Sequence, residues 1–225
     1  MKKLLSLCLA MLLLLAAVPA LADNYDYIQP YSTVDLSVFK NAGYKLTYLE
    51  MEYVAELTNP MEIKATVASG SKYLSDDNYT IQMDLRMVWN GSTCVWVPRL
   101  IFKSQGYKTY AYGALEKVFI KVGENRYVVN ASGASRSTDS KNYTASESSV
   151  EPIGATGLEA LRYIANTDKE VKVAFDNRGT VTLKAADVTK LKNFLTLCEN
   201  AGVFEQPGFY VSTDDYSTLT KFNKD

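Results

Sequence analysis

Apolar and polar residues alternate from Thr47 onward. Thr47, Leu49, Met51, Tyr53, Ala55 and Leu57 share one parity, and Tyr48, Glu50, Glu52, Val54 and Glu56 the other. Period two predicts a strand with one buried face. Asn59-Pro60 reads as a turn into a paired strand carrying Met61, Ile63, Ala65 and Val67. Residues 79–89 and 92–102 flank Asn90-Gly91, a dipeptide suited to the positive φ angles of a type I′ turn. That register puts Leu85, Met87 and Trp89 on one face with Cys94 and Trp96, and Asp84, Arg86 and Thr93 on the other. The first face is apolar enough to be core, so Cys94 is expected to point inward. Another hairpin is predicted over 117–122 and 126–130, around Gly123-Glu124-Asn125. Residues 131–151 hold seven serines and read as a loop.

The period changes after Pro152. Leu158, Leu161, Ile164 and Ala165 mark one face of a short helix. Val171, Val173 and Phe175 alternate with Lys172 and Ala174. Asp176-Asn177-Arg178-Gly179 turns the chain, with Gly179 suited to the left-handed position, and Val181 and Leu183 return on the same face. A second helix is predicted over roughly 185–201, with Val188, Leu191, Phe194, Leu195 and Cys198 as its apolar stripe and Gly202 as its terminator. The fold class is therefore α+β: an antiparallel sheet built of hairpins, with two amphipathic helices near the C-terminus packed on one face. Residues 44–204 form one domain on this reading. Residues 23–43 are an N-terminal extension or short helix, and 205–225 a C-terminal tail.

The pattern is different at the start. Lys2-Lys3 precede an apolar run from Leu4 to Val18, then Pro19 and the small-x-small end Ala20-Leu21-Ala22. These are the marks of an export signal cleaved after Ala22. The run is shorter than the roughly 18–20 residues that a membrane-spanning helix requires. The short basic start is of bacterial type. The expectation is a protein secreted or held outside the cytoplasmic membrane, with no membrane span in the mature chain.

Composition narrows the chemistry further. Trimming behind Ala22 leaves 203 of 225 residues and removes two of the 24 basic residues, against 25 acidic ones. No basic stripe is present, so nucleic acid is not an expected partner. Histidine is absent. Ser-His-Asp and Cys-His catalysis are thereby excluded within this chain, as is every metal site that needs imidazole. No cofactor or metal is expected.

Cys94 and Cys198 both fall on apolar faces. They can be read as core thiols or as a bridge clamping the C-terminal helix to the sheet, worth about 4–5 kcal/mol in the chain-entropy view. Ser37 and Lys40 have the Ser-x-x-Lys spacing of a serine nucleophile with a lysine base, but Ser75-Asp76-Asp77-Asn78 and Lys108-Thr109-Tyr110 fail as its companion motifs. Glu50, Glu52 and Glu56 line a strand face that water-exposed carboxylates explain. Asp76-Asp77-Asn78 and Asp214-Asp215 lack the spacing of a calcium loop. Sixteen tyrosines are the remaining feature, with Tyr107, Tyr110 and Tyr112 clustered. Exposed aromatic platforms stack on sugars and protein partners. The expected function is a non-catalytic extracytoplasmic binding or accessory protein whose partner is a surface protein or a glycan. The alternative is a histidine-free hydrolase that uses paired carboxylates on envelope or environmental polymers.

Overall fold

A computed structural model describes residues 24–49, 54–90, 93–131, 133–209 and 219–221. The export segment, Glu50, Glu52 and Asp214-Asp215 lie outside the described residues. The chain is mostly antiparallel strand with a few helices. Its strands form two sheets, where the alternation had suggested one.

The six-stranded sheet holds β1 (Lys45–Leu49), β2 (Val54–Val67), β3 (Asp77–Asn90), β4 (Thr93–Gly106), β7 (Ser135–Asp139) and β8 (Thr144–Pro152), in the order β1-β2-β3-β4-β8-β7. The five-stranded sheet has the order β10-β9-β5-β6-β11, from β5 (Lys117–Val122), β6 (Asn125–Asn130), β9 (Val171–Phe175), β10 (Gly179–Leu183) and β11 (Leu219–Lys221). The two sheets meet through aromatic contacts: the Phe175 ring lies 4.7 Å from that of Tyr79 and 6.1 Å from that of Phe102. Helices α4 (Ala155–Ala165) and α5 (Ala185–Asn200) fill the remaining space between them. Leu161 and Ile164 of α4 and Leu191 of α5 line one tight cavity with Ile81 and Phe102 of one sheet and Ile120 and Val173 of the other. The helices therefore pack into a shared core, not onto a single sheet face.

Residues 24–43 are part of that core. They form α1 (Asn24–Ile28), a 3-10 turn (Gln29–Tyr31) and α2 (Leu36–Asn41), burying Tyr25, Ile28, Val34, Leu36 and Phe39. Ser37 follows the N-cap of α2, where its hydroxyl donates to Asp35 Oδ1 at 2.6 Å. Its i+3 neighbour Lys40 lies over the Tyr25 ring, so capping chemistry accounts for the Ser-x-x-Lys spacing.

Several sequence expectations are corrected. Asn59-Pro60 is not a turn. Strand β2 runs through it, and residues 59–61 bulge opposite the single residue Met83, between the pairs Thr58↔Asp84 and Glu62↔Gln82. Proline has no N–H to donate to the ladder, which suits a bulge. The chain reverses between Leu49 and Val54, which pair with each other. Four intervening residues reset the phase, so Leu46 and Leu57 face inward while Thr47 and Leu49 face out. In the third hairpin Asn90 pairs with Thr93, so Asn90 belongs to the ladder and not to the expected two-residue loop. Cys94 and Trp96 are buried. Trp89 is 36% exposed and packs on the Tyr31 ring at 5.6 Å. The serine-rich stretch 131–151 contains the hairpin β7–β8, with β8 paired along β4 from Gly106 to Arg99.

Strand β8 stops at Arg99, so the first half of β4 needs other partners on that edge. Three separate pieces supply them. Ile153 N–H donates to Pro98 O at 2.8 Å. Ser32 bridges Cys94, and the Trp96 indole N–H donates to Ser32 Oγ at 2.9 Å. The side-chain amide of Gln206 takes the place of a strand peptide. It accepts from Trp96 N–H at 2.8 Å and donates to Trp96 O at 2.6 Å and to Val203 O at 2.7 Å.

Cys94 and Cys198 are buried free thiols, so the bridge entertained from the sequence is not present. Burial pushes the Cys94 thiol up to about 11 and that of Cys198 well above its ordinary value. Both behave as small core groups, not nucleophiles.

Candidate binding surface

Strand pairing brings three connections to one end of the six-stranded sheet. Val67 pairs with Asp77, Asn78 with Gln105, Gly106 with Ala145 and Asp139 with Thr144. The connections 68–76, 107–116 and 140–143 therefore leave the sheet side by side. Tyr107, Tyr110 and Tyr112 lie on or beside the short helix α3 (Tyr107–Ala111) in the middle connection. Tyr107 and Tyr110 are half-buried, whereas Tyr112 is 55% exposed. Tyr73 from the first connection and Tyr143 from the third are 83% and 58% exposed. Tyr143 meets Tyr110 edge-on at 5.8 Å. The sequence cluster is thus one part of a rim of tyrosines drawn from three segments.

Charged side chains that are themselves buried fix the middle connection. Glu147 of β8 is 0% exposed at its side chain and Arg178, from the β9–β10 turn, 1%. Arg178 Nη2 donates to Glu147 Oε2 at 2.8 Å and to Gly113 O at 2.6 Å. Arg136 of β7 donates to Glu147 Oε1 and Gly113 O through Nη1, and to Tyr110 O at 3.1 Å through Nη2. Glu147 Oε1 also accepts from Leu115 N–H at 3.1 Å. Asp176 Oδ2 accepts from Glu116 N–H and Lys117 N–H at 2.9 and 3.0 Å and faces Arg178 Nη1. Tyr110, Gly113, Leu115 and Glu116 lie between β4 and β5, where no strand ladder pairs these groups, and peptide groups shielded from water must be paired. Two carboxylates and two guanidiniums pair them and balance each other's charge.

Asp77 completes the anchor. Its Oδ1 accepts from Lys108 N–H at 2.8 Å. Gly106 makes this approach available: its φ is 145°, and a Cβ there would lie 2.5 Å from Asp76 O and 2.6 Å from Asp77 Oδ1. Burial lifts the Asp77 carboxyl above its ordinary value, against the pull of the Lys108 and Thr109 N–H groups. Asp77 Oδ2, Tyr79 Oη, Thr109 Oγ1 and Arg178 Nε are buried with no protein partner among the described residues. Tyr79 stands against Gly179, where a Cβ would meet its hydroxyl at 2.7 Å. The glycine of that turn therefore serves close approach, and the positive φ falls on Asp176 instead.

Burial, together with the neighbouring Asp77, pushes the Tyr79 phenol from its ordinary 10.0 up to about 12. The native state keeps this proton where the unfolded chain has lost it, so the native state binds more protons between those values. Tyr79's contribution is complete below pH 10 and lost as pH rises through about 12. Urea unfolding at pH 9 and at pH 11.5 should show the wild type losing more stability than Tyr79→Phe. Equal losses would contradict this account.

Beside the rim, the outward face of the sheet carries a groove of about 400 Å³ whose lining includes Asn78, Lys103, Gln105, Ser137, Ser146 and Ser148. Asn78 and Gln105 stand one residue, and Ser146 two, from the strand ends that bear the tyrosine connections. Most of its lining residues carry hydroxyl or amide groups, and Lys103, Arg136 and Glu147 add charge.

Glu56, raised as a strand-face carboxylate, contacts Arg99 at 3.0 Å, and Arg99 also grips Asp84 through Nε and Nη2 at 2.8 and 2.6 Å. No group of three or more metal-ligating side chains occurs among the described residues, and no described helix is long and apolar enough to cross a membrane. Comparison with known proteins returns no matching family model, curated protein or solved structure.

Proposed function

We propose that the protein is a non-catalytic extracytoplasmic binding module that holds a glycan at the tyrosine rim and the adjoining groove. The observation that carries this reading is the rim itself. Tyr73, Tyr112 and Tyr143 face solvent from three adjacent connections, the middle one fixed from below by Arg136, Glu147 and Arg178. Anchoring of this kind lowers the ordering cost of binding. Tyrosine faces stack on sugar rings, and the neighbouring hydroxyl and amide groups match sugar hydroxyls. Export through the segment ending at Ala22 would bring the module to such polymers.

The hydrolase alternative has less support. It needs two carboxyls converging on an open cleft. Glu147 is held between two guanidiniums at zero side-chain exposure, and Glu56 and Asp84 share Arg99.

The test begins with protein recovered from outside the producing cell, whose intact mass should lack residues 1–22. Wild type and the double variant Tyr112→Ala/Tyr143→Ala are then compared on a glycan array and by co-sedimentation with purified cell-wall polysaccharide. Binding by the wild type, reduced at least tenfold in the variant at unchanged Tm, is expected. Failure of both proteins to bind any glycan, or equal binding by both, refutes the glycan reading. Binding to an envelope protein alone would point to a protein partner instead.

A further inference from the structure

The outward face of the five-stranded sheet carries an arrangement that is unfavourable in isolation. Lys121 of β5 pairs directly with Arg126 of β6 on one side and with Lys172 of β9 on the other. All three side chains are exposed, so three cations stand in one row across three strands. Opposed residues on neighbouring strands have Cβ atoms about 4.5–5.5 Å apart, and like charges there destabilise a sheet. Glu170 relieves Lys172, at 2.7 Å. Among the described residues no carboxylate forms an ion pair with Lys121 or Arg126.

The next row of the same face is apolar: Val128, Phe119 and Ala174 stand opposite one another. A cavity of about 550 Å³ spans the two rows, lined by Phe119, Lys121, Arg126, Lys172, Ala174 and Thr180. It is separate from the tyrosine rim, and nothing in the glycan reading uses it.

We propose that this face binds an anionic amphiphile, with a phosphate-type headgroup over Arg126, Lys121 and Lys172 and a short apolar chain over Phe119 and Ala174. The charge row supplies the argument for the headgroup. A bound oxyanion converts the repulsion between Lys121 and Arg126 into two attractions, with Lys172, shared with Glu170, as a third cation beside it, and the Arg126 fork suits paired oxygens. The neighbouring apolar row supplies the argument for the chain, since burying hydrocarbon there adds affinity that an inorganic ion cannot gain.

Decyl phosphate below its micellar concentration is titrated into the wild type, Lys121→Met and Arg126→Met, with inorganic phosphate and decyltrimethylammonium as comparison ligands. The wild type should bind decyl phosphate at least tenfold more tightly than inorganic phosphate and should not bind the cationic amphiphile. Each variant should lose at least tenfold in affinity, and Lys121→Met should melt no lower than wild type because a repulsion has been removed. Co-sedimentation with phosphatidylglycerol vesicles but not phosphatidylcholine vesicles would add a membrane lipid as the source of the ligand, and no co-sedimentation would indicate a free amphiphile. Three results overturn the proposal: equal affinity for decyl and inorganic phosphate, unchanged affinity in both variants, or binding to anionic vesicles without binding to the monomer.

Discussion

Glu147→Ala is expected to destabilise the protein by about 3–5 kcal/mol, the cost of removing one partner from a buried ion pair. The substitution strands the Arg178 guanidinium, 1% exposed, beside a missing counter-charge. It also takes the acceptor from Leu115 N–H. At roughly 2–4 °C per kcal/mol for a chain of this size, the melting temperature should fall by about 10 °C. Glu147→Gln should cost less, because its carbonyl oxygen still accepts a hydrogen bond. Thermal and urea unfolding of the three proteins would settle the order. A loss below about 1 kcal/mol for Glu147→Ala would mean that water reaches Arg178 and that the anchor beneath the tyrosines is not dry.

Gln206→Leu is the second substitution with a large expected effect. Leucine keeps the volume and removes the amide. Trp96 N–H and Trp96 O, both bonded to Gln206, would then be buried without partners. Each orphaned group costs about 1–3 kcal/mol, so a loss of about 2–6 kcal/mol is expected for the two. Hydrogen exchange should localise the damage, with faster exchange at Trp96 N–H and unchanged exchange at residues of β4 paired with β8, such as Phe102. Unaltered exchange at Trp96 would show that the amide is dispensable to that edge.

Where one side of a strand faces hydrocarbon and the other faces water, the sequence was informative. Period two over 79–102 marks the side that carries Cys94 and Trp96, and the 171–183 segment marks Val171, Val173, Phe175, Val181 and Leu183, all buried. Phase was lost wherever the chain reversed, as between Leu49 and Val54, because alternation carries no memory through a reversal. The charged anchor was not legible. Ala145, Glu147, Ser149 and Glu151 share the inward face of β8, yet they spell a polar surface by composition. Arg178 looked like turn punctuation, because its burial depends on Glu147, 31 residues earlier. Tyr107, Tyr110 and Tyr112 could be singled out as a cluster, whereas Tyr73 and Tyr143 join them only through the pairing of β2, β3, β4, β7 and β8. Glu147 between two serines offered no signal. The φ of Gly106, the residue just before Tyr107, can be understood only once Asp77 is known to pass within contact.

The ordering of the five-stranded sheet governs when this chain can finish folding. Its edge strand β11 is residues 219–221, paired with Val129, Val128 and Tyr127. Near the other end, Ser32 bridges Cys94 and Asp35 N–H donates to Ala201 O. Contacts between such distant positions close only after the entropy of long loops has been overcome, and they form late. A ribosome-bound fragment ending at residue 200 lacks Ala201, Gln206 and β11 together. The contacts that close both sheet edges therefore cannot all form until residue 221 has been synthesised.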